Sequence, residues 1–140
     1  MAHPREHPAS LNIKHDISIA ASRIPAFVEH TDALLAREIP GVRLVNFGHL
    51  GDGNLHYNVQ APEGGDAREF LRTQEDRVNQ LVYDAVALFH GSFSAEHGVG
   101  VLKADKLAHY KSPVALSMMR AIKQALDPQG LMNPGCILQK

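Results

Sequence analysis

The stretch Asn46-Phe-Gly-His-Leu-Gly-Asp-Gly-Asn-Leu-His-Tyr-Asn58 decides how this chain is read. β-Branched and aromatic residues run from Val42 to Phe47, and Leu55 to Val59 is a second apolar-rich run, so both flanks favour strands. Between them Gly51-Asp52-Gly53 signals a turn, and Asp52-Gly53 suits a two-residue hairpin connection. A hairpin closed there sets His49 directly opposite His56. Directly opposite residues share a face with Cβ atoms about 4.5–5.5 Å apart, so two imidazoles could converge on one ion. Asn58 lies two residues beyond His56 and points to the same face. The hairpin is thus half of a metal site and needs a third ligand.

Ser94-Ala-Glu-His-Gly98 is the natural source of that ligand. Glu96 would complete a two-histidine, one-carboxylate set that suits zinc or another divalent first-row metal with open positions. In a regular strand Glu96 and His97 point to opposite faces, so both serve one site only if the extended conformation ends between them. The plainer reading stays open beside this one. A chain with nine histidines forms some pairs by chance, and both glycine-rich segments can be ordinary turns. His3, His7, His15, His30, His90 and His109 read as surface or core residues, Lys14 as a solvated lysine at a strand end, and Asn133-Pro-Gly135 as a turn.

Working outward, residues 1–12 form a polar, disordered or extended lead-in, and residues 13–140 a single domain. His15 to Ala20 alternates with Ile17 and Ile19 on one face, which predicts a strand. Ser22 is the expected N-cap of a helix over 23–38 whose apolar face is Ile24, Phe27, Val28, Leu34, Leu35 and Ile39. A second helix is expected over 67–89, burying Phe70, Leu71, Val78, Leu81, Val82, Ala85, Val86 and Phe89. Ser92 to Ala95 reads as a fourth strand, followed by helices near 103–109 and 113–126. The order β-α-β-β-α-β predicts an α+β, ferredoxin-like antiparallel sheet with helices on one face, plus C-terminal helices.

Composition narrows the function classes. The 140 residues are 44% hydrophobic and 21% charged, ordinary for a globular domain. A net charge of −1 gives no electrostatic footprint for nucleic acid. No apolar run approaches the roughly 20 residues of a membrane span, and the N-terminus lacks a signal-peptide stretch. The single cysteine, Cys136, precludes an internal disulfide and suits a reducing, cytoplasmic setting.

Four segments together carry a resemblance: Lys14-His-Asp-Ile-Ser18, Gly48-His-Leu-Gly-Asp-Gly-Asn-Leu-His56, Ser94-Ala-Glu-His-Gly98 and Leu126-Asp-Pro-Gln-Gly-Leu-Met-Asn-Pro-Gly135. In this order they resemble the C-terminal domain of the FAD-linked oxidases related to D-lactate dehydrogenase, glycolate oxidase and D-2-hydroxyglutarate dehydrogenase. The resemblance implies His49, His56 and Glu96 as metal ligands, with zinc favoured, and His97 as the catalytic base. It implies Lys14 and Asn58 as substrate-binding residues and Asn133 as a flavin contact. It also implies oxidation of a small D-2-hydroxyacid to a 2-oxoacid, with FAD carried on a larger N-terminal domain supplied in cis or in trans. Two departures stand out: Arg5 is no clear equivalent of the family's substrate-binding arginine, and Cys136 follows Asn-Pro-Gly where a lysine is usual. The chain alone is therefore expected to hold no flavin and to be inactive, with an apolar face covered by the FAD domain or by a homodimer. A metal-dependent hydrolase and a noncatalytic ferredoxin-like binding module are the competing classes.

Overall fold

The computed structural model describes residues 11–138; residues 1–10 of the expected 1–12 lead-in, with Arg5, His3 and His7, lie outside them. The chain divides into two units, Met1–Glu96 and His97–Lys140. The first contains strands β1 (Ile13–Ser18), β2 (Arg43–Phe47) and β3 (Asn54–Gln60), with helices α1 (Ile24–Glu38) and α2 (Ala67–Leu88). The second contains α3 (Ala104–Tyr110) and α4 (Pro113–Leu126). The expected α+β class holds, with three antiparallel strands in the order β1-β3-β2.

Alternation along β1 and β3 sorts their side chains between two faces. Ile13, His15 and Ile17 face inward beside their partners Val59, Tyr57 and Leu55, and all six are buried. Phe27 of α1 meets the Tyr57 ring edge-on at 5.9 Å, while Tyr83 of α2 meets His15 at 5.3 Å. Both long helices therefore cover one face of the sheet, as expected. His15 donates from Nδ1 to the Tyr57 carbonyl at 2.8 Å and meets the Asn79 side-chain amide at 2.9 Å, so this buried imidazole is satisfied on both sides. Tyr57 donates to Asp32 at 2.6 Å; its phenol is pushed well above the usual range, first by burial and then by that carboxylate.

The helix starts show how local chemistry sets boundaries. α2 begins at Asp66, whose carboxylate accepts from the amides of Arg68 and Glu69. α1 does not start on Ser22. Ala21–Arg23 winds as a short 3-10 turn, so Ser22 lies inside it, and α1 enters from Arg23 with a proline in its first turn. The apolar face predicted for α1 also passes through Thr31, which is fully buried because its hydroxyl donates to the Phe27 carbonyl at 2.7 Å.

Two expectations are corrected. The hairpin does not close at Asp52-Gly53. Leu50–Asp52 forms a 3-10 turn, and the His49 carbonyl accepts from the amides of Asp52 and Asn54. Gly48 permits the longer path: a Cβ there would lie 2.3 Å from the Asn54 carbonyl oxygen. His56 consequently pairs with Phe47, not His49. The shift is an even number of residues, so the paired residues of β2 and β3 keep their expected faces, while His49 leaves the strand.

The fourth strand is reduced to one antiparallel bridge, Ser18 with Ser92. In a continuing ladder the Ser94 amide would donate to the Asp16 carbonyl. Instead the Ser92 hydroxyl accepts from the Ser94 amide and donates to the Ser94 carbonyl, and the Ala95 amide takes the Asp16 carbonyl at 3.3 Å. One extra residue slips in and pairing ends there.

Candidate functional site

The sheet face turned away from the helices carries Lys14 and Asp16 from β1, Val45 and Phe47 from β2, and His56 and Asn58 from β3. Register sets them in cross-strand rows: Lys14 pairs with Asn58, which pairs with Val45; Asp16 pairs with His56, which pairs with Phe47. Lys14 is exposed and Asn58 buried, so a cation at the rim stands beside a buried amide on one row. The exposed Phe47 ring lies against the His56 imidazole, centroids 5.0 Å apart, and limits how that ring can turn.

After the slip at Ser94 the chain leads Glu96 over this face. His56 Nε2 and Glu96 Oε1 stand 3.2 Å apart. Asp16, 5% exposed, holds the same segment from below: its carboxylate accepts from the Ala95 amide at 3.2 Å and from the Glu96 amide at 3.1 Å. Asp16 and Glu96 each bring a carboxylate oxygen within 4.8 Å of the other. Sequence reasoning gave Asp16 no role, although it lies inside the quoted Lys14–Ser18 segment. The available signal was a carboxylate on the solvent side of a strand flanked by Ile13, Ile17 and Ile19.

The remaining sequence-predicted site residues are His49, His97 and Asn133. His49 is exposed at the head of the 3-10 turn, and no group of three metal-ligating side chains within 4.8 Å of one another includes it among the described residues. His97, also exposed, follows Glu96 directly in sequence and opens the second unit. Within that unit Asn133 sits in a turn with φ 48°, its carbonyl accepting from the Cys136 amide. The turn is organised by Asp127, which accepts from the Leu131 and Met132 amides and from the Lys123 ammonium. Lys123, then those amides, hold the Asp127 carboxyl down at about 2 against the opposing effect of burial.

The donor set fits a metal ion in part. Two ligands of a tetrahedral ion at about 2.0–2.2 Å are roughly 3.2–3.6 Å apart, and the His56–Glu96 separation falls at that spacing.

One face of the sheet is closed by helices, and the other is lined by lysine, amide, imidazole and carboxylate groups. The family described as FAD linked oxidases, C-terminal domain, matches residues 2–137, and the chain belongs to that family. The D-2-hydroxyglutarate dehydrogenase of Stutzerimonas stutzeri is 44% identical over 124 residues, covering 89% of this chain and 26% of that protein. The protein of the same name from Xanthomonas citri pv. viticola is 42% identical over 126 residues, covering 90% and 26%. A putative mitochondrial D-lactate dehydrogenase of Schizosaccharomyces pombe is 34% identical over 129 residues, covering 86% and 23%. The chain thus spans about a quarter of the length of the curated relatives it matches.

Proposed function

We propose that this chain is the substrate-side part of an FAD-dependent dehydrogenase that oxidises a D-2-hydroxyacid to a 2-oxoacid, with D-2-hydroxyglutarate the favoured substrate. The observation that carries the proposal is the His56–Glu96 pair, 3.2 Å apart on the face that also bears the Lys14–Asn58 row. The names of the relatives supply the substrate.

A divalent ion, for which zinc is the candidate, would be held by His56 and Glu96, with His49 assigned as third ligand by the family resemblance; it would supply Lewis acidity toward the substrate hydroxyl and carboxylate. FAD, which the family resemblance places on a larger N-terminal domain, would supply the electron acceptor, and the Asn133 turn is assigned to contact it. The chain's own residues do the rest. Lys14 offers an ammonium to a carboxylate of the substrate, and Asn58 an amide donor to a carboxylate oxygen, which together fix the acid's orientation. His97 is the base: it takes the hydroxyl proton, while the hydrogen on the same carbon leaves with its electron pair and the C–O bond becomes a carbonyl.

Calorimetric titration of the 140-residue chain with zinc alone tests the metal pair. The expected result is one ion per chain, with affinity at least ten-fold weaker in His56→Ala and in Glu96→Gln. Amide shifts at Lys14 and Asn58 on adding D-2-hydroxyglutarate test the substrate assignment. Zinc affinity unchanged in both variants, with no shift at either residue, would overturn the reading.

A further inference from the structure

The segment that carries Glu96 has almost nothing regular to hold it. Pairing with β1 stops at the Ser18–Ser92 bridge, and residues 93–99 form neither helix nor strand. A chain leaving a sheet in this way exposes its next amides, which must find acceptors or stay mobile. Here Asp16 supplies the acceptors: its backbone carbonyl lies 3.3 Å from the Ala95 amide, and its side chain serves both amides. Asp16 Oδ2 takes the Ala95 amide at 3.2 Å and the Glu96 amide at 3.1 Å, and Oδ1 stands 3.4 Å from the Glu96 amide. Asp16 is itself fixed by its place in β1, opposite His56 in the register. One carboxylate therefore links the strand row that contains His56 to the backbone of Glu96.

We propose that Asp16 is a positioning residue for Glu96, holding the 95–96 backbone so that the Glu96 carboxylate meets His56 Nε2. The chemistry favours a carboxylate in this place. An ionised acceptor makes hydrogen bonds about twice as strong as a neutral one, and its two oxygens can serve adjacent amides together. A metal ligand on an irregular segment loses affinity when it wanders, and groups that orient ligands typically contribute about 10–100-fold in metal binding. Asp16 acts through Glu96. Its carboxylate accepts from the Ala95 and Glu96 amides.

The consequence for metal binding rests on the proposed role of the His56–Glu96 pair; the consequence for the backbone does not. Hydrogen exchange at the Ala95 and Glu96 amides, followed by NMR, and titration with zinc alone separate the two. In Asp16→Ala the Glu96 amide should exchange at least ten-fold faster, the Ala95 amide less so because it keeps the residue-16 carbonyl, and zinc affinity should fall at least ten-fold. Asp16→Asn keeps one carbonyl acceptor, so exchange should rise only about three- to ten-fold and much of the zinc affinity should return. If Asp16→Ala does not fold, the Asn variant decides: unchanged protection at both amides overturns the proposal. Zinc affinity lost as fully in Asn as in Ala, with both amides still protected, also overturns it, because Asp16 would then be a ligand. Wild-type protein that binds no zinc yet shows the expected exchange changes would sink the metal reading and leave the positioning role standing.

Discussion

Gly91→Ala puts the junction between fold and site under a defined load. A Cβ at residue 91 would lie 2.5 Å from the Ser18 carbonyl oxygen, 2.4 Å from Ile19 Cδ1 and 3.1 Å from Val86 Cγ1. Real Cβ contacts essentially never fall below 3.0 Å, so the backbone must part by about 0.5 Å at Ser18 and Ile19 must turn. The Ser18 carbonyl accepts from the Ser92 amide at 2.8 Å, and the Ser92 carbonyl accepts from Ser18, also at 2.8 Å. Weakening this exchanged pair costs about 1 kcal/mol per bond. Ile19 is 1% exposed, and an off-rotamer side chain there adds about 0.5–1.5 kcal/mol. Alanine recovers about 0.4–1 kcal/mol by restricting the unfolded chain, leaving a net loss of about 2–3 kcal/mol. Urea unfolding followed by far-UV circular dichroism should show a midpoint about 0.7–3 M lower, given a slope of about 1–3 kcal/mol per M. A loss under about 0.5 kcal/mol, with the Ser18 and Ser92 amides as protected as before, would refute the close-packing argument.

Asp66→Ala should cost about 1 kcal/mol in the same unfolding experiment by removing the cap from the Arg68 and Glu69 amides, and Asp66→Ser should restore most of it. Asp127 supplies a pH test. Its carboxyl is depressed in the folded state, so its contribution is complete above the ordinary value of 3.8 and disappears as pH falls through about 2. Between pH 4 and 2 the Leu131 and Met132 amide resonances should move together toward random-coil positions. In Asp127→Asn that transition should be absent; its persistence would mean another group organises the turn.

The three paired strands and two long helices were legible because each signal was local and repeated: alternation in β1, an apolar run in β3, and helical spacing in α1 and α2. The hairpin register was not. Asp52-Gly53 is a sound turn signal, but the outcome depended on the His49 carbonyl serving two amides and on Gly48 passing close to Asn54, and both are tertiary facts. The loss of the fourth strand has a similar origin. Ser92-Phe-Ser-Ala95 is compatible with a strand until the Ser92 hydroxyl captures the Ser94 amide. At the site, residue type and spacing singled out His49, His56 and Glu96; the structure sets His56 and Glu96 3.2 Å apart, while His49 joins no group of three metal-ligating side chains among the described residues. Asp16 stayed hidden because its partners are backbone amides almost eighty residues away, which carry no mark in side-chain identity.

The alternation of β1 and β3 has a consequence for how this protein can change. Within residues 13–18 and 54–60, odd positions bury the core and even positions line the opposite face. On the proposed function, neighbouring codons therefore answer to different demands, one for abundance and the next for what is bound. A saturation library read separately for cellular yield and for ligand retention should show two interleaved patterns of period two, with little overlap. The even positions could then be rewritten for a different ligand without drawing on the stability held by their neighbours, Asp16 excepted.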